Sequence, residues 1–265
     1  MFRNIILGQF YPGNSILHRL DPRTKIVMTF VFMIILFMVN NFYGYLGFGL
    51  FTLWAVALAR IPFAVVFRGL KSILYILFIT FLLNLFLTPG DVLTTLGPLT
   101  ITRQGLNLGL SMSVRLILLI ILSSLLTLTT SPILLTDGLE ALLKPFRRIG
   151  IPAHELAMMM TIALRFVPTL LEETEKIMKA QMARGADFES GNMLQRARAL
   201  VPILVPLFVS AFRRADELAT AMEARCYRGG ENRTRMRELA FGLADYLAFL
   251  LTGLVTAGVI GLRFV

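Results

Sequence analysis

Two tripeptides in this sequence carry the same chemistry. Ala183-Arg184-Gly185 closes one long helical pattern, IMKAQMARGADF, and Ala224-Arg225-Cys226 closes another, ATAMEARCYRGG. The two arginines are 41 positions apart. A guanidinium is a planar fork of donors that holds carboxylates and backbone carbonyls without losing its charge. Small flanking residues let a helix end with such a fork enter a groove closely. Taken singly, each arginine is an ordinary cation near a helix C-terminus, where the macrodipole favours it. Two Ala-Arg-small tips on paired arms point instead to two similar pockets on a two-subunit partner.

Little else in the chain could make or break bonds. No G-x-x-x-x-G-K-[ST] occurs, so nucleotide hydrolysis by a P-loop is excluded, and H-E-x-x-H, G-x-S-x-G and CxxC are also missing. The single cysteine, Cys226, excludes a disulfide within the chain and any cysteine-based metal site. His18 and His154 are far apart and read as structural or interfacial. An enzyme acting on lipid or isoprenoid substrates could draw only on Asp21, His18, Glu155 and His154. A channel or secondary carrier would have Asp245 as its main acidic residue within a span, which is thin provision for an ion path.

The elements that position the arginines run from Ala153 to Gly229. In the first arm Val167, Leu170, Leu171, Ile177, Met178 and Met182 alternate with Glu172, Glu173, Glu175, Lys176 and Lys179. That is the 3.6-residue period of a one-sided helix, with its charges on a solvated face. Gly185 and the turn GADFESGN stop it. In the second arm Phe208, Phe212, Ala215, Ala219 and Met222 form an apolar stripe, with Arg213, Arg214, Asp216, Glu217 and Glu223 on the wet face. Each arm exceeds 30 residues, or about 45–50 Å if straight. Pro168, Pro202 and Pro206 are candidate hinges, because proline kinks a helix. Met158, Met159, Met160, Met178, Met182 and Met222 could grip a partner, since methionine repacks easily, or could fill the contact between the arms.

Around this hairpin the composition is that of a membrane protein. Charged residues make up 16% and mean hydropathy is +0.74, against about 25% charged in soluble domains. The net charge of +10 does not indicate nucleic acid, because 16 of the 26 basic residues lie between Ser131 and Glu238 among 13 of the 16 acids. The expected fold is all-α and polytopic, with about five transmembrane helices plus long cytoplasmic coupling helices. Residues 1–130 hold four spans: Ile26–Val39, Tyr45–Ala59, Ser72–Leu87 and Gly105–Thr130. Residues 131–237 form the coupling-helix region, including a short amphipathic helix between Pro132 and Pro145 and a basic linker (Arg228, Arg233, Arg235, Arg237). Residues 238–265 hold the last span, whose Ala244, Ala248, Gly253, Ala257 and Gly261 suit close helix contact.

Asp21-Pro22 is a helix start. Four basic residues of HRLDPRTK (His18 to Lys25), then Arg60, Arg68 and Lys71, mark the cytoplasmic side. The loop Pro89–Thr102 holds no Lys or Arg and reads as an outer loop. Five spans from a cytoplasmic N-terminus put the C-terminus outside. Gly105-x-x-x-Gly109 signals close packing. Arg115, inside the fourth span, must face protein, water or the interface.

The segments ALRFVPTLLEETEKIMKAQMARGADF and AMEARCYRGG, with HRLDPRTK near the start, resemble the EcfT/CbiQ-like family, the transmembrane coupling (T) subunits of energy-coupling factor ABC transporters. The resemblance covers essentially the whole chain. It implies that Arg184 with Ala183 and Gly185, and Arg225 with Ala224, dock in grooves of two ABC ATPase subunits. Cys226 stands where the family pattern has glycine. The resemblance further implies that the long helices hold a separate substrate-binding membrane S subunit for vitamin or micronutrient uptake. It implies no catalysis and no cofactor in this chain, with ATP and magnesium in the partner subunits, and a place among the lipids of the bacterial plasma membrane.

Overall fold

The computed structural model describes residues 10–39, 41–96, 99–150, 152–188, 192–229 and 239–261. Arg233, Arg235 and Arg237 of the basic linker lie outside the described residues, as do Glu189, Ser190 and Gly191 of the first turn. In chain order the helices are α1 (Ile16–Arg19), α2 (Pro22–Met38), α3 (Phe42–Ala59), α4 (Phe63–Leu87), α5 (Arg103–Thr129), α6 (Pro132–Leu143), α7 (Ala153–Ala183), α8 (Met193–Ala224) and α9 (Leu243–Gly261). A 3₁₀ segment, Lys144–Ile149, follows α6. The protein is an all-α polytopic membrane protein.

Among the described residues α3, α5 and α7 are long and apolar enough to cross a membrane. The halves of α4, Phe63–Lys71 and Ile73–Leu87, are bent by 57° and make a fourth candidate if taken as one span. The first span read from the sequence corresponds to α2, which has 17 residues, short of the roughly 20 usually needed. The last corresponds to the apolar stretch Leu243–Val259 of α9, which is also short. α7, read as an arm, passes the same test, because its charges gather in its second half.

The loop read between Pro89 and Thr102 contains a small antiparallel hairpin, β1 (Val92–Leu96) and β2 (Leu99–Thr102), with Leu96 opposite Leu99. Its valine, isoleucine and threonines suit extended backbone, a signal that the lack of basic residues does not carry. The Gln104 amide donates to Asp91 Oδ2 at 2.9 Å and closes the base of the hairpin. Thr102 then caps α5, its Oγ1 accepting from the Gly105 amide at 3.0 Å.

By its contacts the chain divides into two compact units, one of residues 8–142 with 238–265, the other of residues 1–7 with 143–237. In the first, Phe32, Ile35, Leu36 and Val39 of α2 pack with Tyr45 and Phe48 of α3 and with Leu118 and Leu122 of α5. α4 lies along α5 because glycine allows it. A Cβ at Gly105 would stand 2.8 Å from the Asn84 carbonyl oxygen and 3.0 Å from that of Leu85, so the Gly105-x-x-x-Gly109 signal marks a true close approach. The glycines of α9 do not behave this way. A Cβ at Gly253 or Gly261 would meet nothing within 4 Å, so the close contact expected along that stripe is absent there. Arg115 stays inside the bundle, donating to the Val39 carbonyl at 2.9 Å and the Tyr45 hydroxyl at 2.6 Å.

α2 and α9 of this unit are stitched together. Asp21 is the N-cap of α2, with Pro22 in the first turn as the sequence indicates. Its amide donates to Asp245 Oδ1 at 2.9 Å, and Asp245 Oδ2 accepts from the Gly242 amide at 2.8 Å. Arg23 grips Asp21 through Nη2 at 2.9 Å, donates to the Leu239 carbonyl at 2.7 Å, and lies over the Phe241 ring at 4.1 Å. Asp245 is thus engaged in holding helix starts. His18 is likewise structural: its Nε2 donates to the Tyr11 carbonyl at 3.0 Å, leaving Nδ1 to accept from the Ser15 hydroxyl at 2.7 Å.

Candidate functional site

The second unit is built on α7 and α8. Three contacts set their direction. His154 lies 3.3 Å from the Tyr227 hydroxyl, the Glu173 carboxylate takes hydrogen bonds from Ser210 and Arg214, and the Gln181 amide reaches the Pro202 carbonyl at 3.5 Å. Rising numbers on α7 meet falling numbers on α8, so the helices are antiparallel. The two arginine tips therefore stand at opposite ends of the pair.

Both helices end in the same hydrogen-bonded motif. On α7 the amides of Arg184, Gly185 and Ala186 donate to the carbonyls of Gln181, Met182 and Gln181, each at 3.0 Å. On α8 the amides of Arg225, Cys226 and Tyr227 donate to Met222, Glu223 and Met222 at 3.2, 2.9 and 3.0 Å. Every member of the second set is the first shifted by 41 positions. This is a Schellman ending, which needs one residue in the left-handed region. Gly185 fills that place at φ +88°, and Cys226 fills it at φ +56°. The cysteine thus keeps the helix-end geometry of glycine at the cost of an unfavourable backbone for a residue with a Cβ.

The tips are open to a partner. Ala183, Arg184, Gly185, Ala224, Arg225 and Cys226 are all exposed. Of the candidate methionines, Met159, Met160 and Met182 are exposed, while Met158, Met178 and Met222 are half-buried. α7 continues as helix through Pro168, and α8 through Pro202 and Pro206.

The structure corrects the sequence reading of α8. Phe208, Phe212, Ala215 and Ala219, read as its apolar stripe, are all exposed, Phe212 to 69%. Arg214, read as part of the wet face, reaches across to Glu173 at 3.1 Å instead. The inner face carries Ile203, Leu207, Ser210, Ala211, Arg214 and Leu218, at helical spacing. The Glu173–Arg214 pair escaped sequence reasoning, though a signal was there. These residues too are 41 apart, and each stands eleven before its tip arginine.

Comparison with known proteins gives the family. The CbiQ family model, described as cobalt transport protein, matches residues 13–236. A relative in Thermosediminibacter oceani is 61% identical over 99% of both chains. Others in Ruminiclostridium cellulolyticum and Bacillus subtilis are 55% and 52% identical, over 100% and 91% of this chain and 99% and 91% of theirs. All three are named energy-coupling factor transporter transmembrane protein EcfT.

The chain belongs to the EcfT/CbiQ family. It is a transmembrane component of an energy-coupling factor transporter, and membership places it with non-catalytic transporter subunits rather than with lipid-processing enzymes.

Proposed function

We propose that this chain relays force within an energy-coupling factor importer. Its tips dock in grooves of two ABC ATPase subunits, Arg184 in one and Arg225 in the other. Closure of the ATPases on ATP and magnesium, both held by those subunits, shifts the tips. The rigid arms pass that shift to a separate membrane subunit that binds a vitamin or other micronutrient. On this reading residues 131–237 are the coupling region between membrane parts 1–130 and 238–265, and Pro168, Pro202 and Pro206 absorb the change in angle. The exposed methionines with Phe208 and Phe212 offer that subunit an apolar, adaptable surface. The chain lies in the bacterial plasma membrane with its N-terminus in the cytoplasm.

One observation carries the reading: two exposed arginine tips with the same hydrogen-bonded ending, at opposite ends of one antiparallel pair. A repeated ending suits repeated grooves. The test is the double change Arg184→Glu with Arg225→Glu. It should release the ATPase subunits on affinity purification and stop uptake in whole cells. If capture and uptake both survive, the docking role is wrong.

A further inference from the structure

A cavity of about 290 Å³ lies among α1, α2, α3, α5 and α9, roughly twice the 150 Å³ or so that holds a benzene ring. Its shape follows the helices. On α2 and α3 it runs from Lys25 and Leu58 to Phe32 and Phe51. On α5 and α9 it runs from Thr129 and Ala244 to Leu122 and Leu251. Each of the four intervals is seven residues, about 10 Å along a helix axis. The cavity is therefore a slot parallel to the helices, starting where all four have an end.

The slot has a polar end and an apolar depth. Lys25 and Thr129 line it at the helix ends, with Thr29 one turn further in, and the rest of its lining is apolar. The Lys25 ammonium donates to the carbonyls of His18 and Thr129 and to the Thr130 hydroxyl, at 3.2, 3.0 and 3.3 Å. All three acceptors are neutral. The nearby carboxylates are engaged elsewhere, Asp21 with Arg23 and Asp245 with two backbone amides. Exposed Arg19 and Arg60 stand at the same end of the bundle. The rim is Trp54 of α3 with Leu247 and Leu251 of α9, exposed to 49%, 62% and 39%, and α3 is a membrane-crossing candidate. The rim is thus open on an apolar outer face of the bundle. Ala55, Ala244 and Ala248 make the room.

We propose that this slot holds an acyl chain of an anionic membrane phospholipid, its headgroup beside the exposed Arg19 and Arg60. An apolar slot parallel to the helices fits a chain, and cations at its mouth favour a headgroup of net negative charge over a zwitterionic one. Ala244 and Ala248 of α9 would then serve to admit lipid.

The full chain, in phosphatidylcholine discs, is photolabelled with trace phosphatidylglycerol carrying a diazirine on its acyl chain. A second arm uses phosphatidylcholine with the same probe. Peptides covering Phe51–Leu58 and Ala244–Leu251 should be labelled several-fold more than the α4 peptide containing exposed Phe78. The glycerol lipid should label them several-fold better than the choline lipid. Ala248→Phe should lower slot labelling to the α4 level and leave α4 unchanged. If α4 labelling moves as well, Ala55→Leu decides in its place. Slot labelling no higher than at α4, equal labelling by the two lipids, or slot labelling that survives the filling variant would overturn the assignment.

Discussion

Arg214 of α8 donates to Glu173 of α7 at 3.1 Å, and each of these residues stands eleven positions before the arginine that ends its helix. Eleven residues are three helical turns, so crossing point and tip share a face of each helix. The helices are antiparallel, so the tips lie in opposite directions from this pair, about 30 Å apart if the helices are straight. The ion pair marks the local twofold centre of the arms.

Because Arg214 is partly exposed, its pairing with Glu173 should contribute little to stability. Glu173→Gln and Arg214→Gln, taken singly and together, should show a coupling of about 0.2–1 kcal/mol. Thermal unfolding in detergent measures it. The larger effect is expected in uptake, where the double variant should transport more slowly while still capturing the ATPase subunits.

The left-handed backbone of Cys226 is a local weakness. Cys226→Gly should stabilise the second tip by about 1 kcal/mol. Gly185→Ala should weaken the first by a similar amount, all of it local backbone strain, because a Cβ there meets nothing beyond its chain neighbours within 4 Å. Hydrogen exchange at the amides of Arg225 to Tyr227 and Arg184 to Ala186 reads both changes.

The tips should act separately. Arg184→Glu or Arg225→Glu alone should leave a measurable fraction of ATPase captured, since the other tip remains, and only the double change should abolish capture. Quantitative co-purification at matched expression distinguishes the three variants.

The glycines of two helices should respond oppositely. Gly105→Ala forces a methyl against the Asn84 and Leu85 carbonyls and should cost about 1–3 kcal/mol. Gly253→Ala in open space should be neutral or stabilise by up to about 1 kcal/mol. Melting temperatures of the purified variants test the pair.

Much of this architecture is legible in the residues. Hydropathy locates α3 and α5, Asp21-Pro22 announces α2, and periodicity with Gly185 defines the end of α7. The 41-residue repeat aligns Cys226 with Gly185, and the backbone obeys that alignment. Other features resist reading. Periodicity says that α8 has an apolar face but not what that face meets, so the Phe208–Phe212 line lay outside and the Arg214 line inside. Missing charge says where a loop faces but not that Val92–Thr102 pairs with itself. The ion pair between Glu173 and Arg214 depends on how two arms lie side by side, which composition does not encode.

The hydrogen bond from the Asp21 amide to Asp245 bears on how the protein is made. Asp21 leaves the ribosome 224 residues before its acceptor. Until then the Asp21 amide lacks its acceptor and Arg23 lacks the Leu239 carbonyl. Insertion can proceed span by span, but α2 is tied to α9 only when residues 239–245 arrive. Nascent chains halted before Leu239 should therefore remain open to membrane proteases that the finished protein resists.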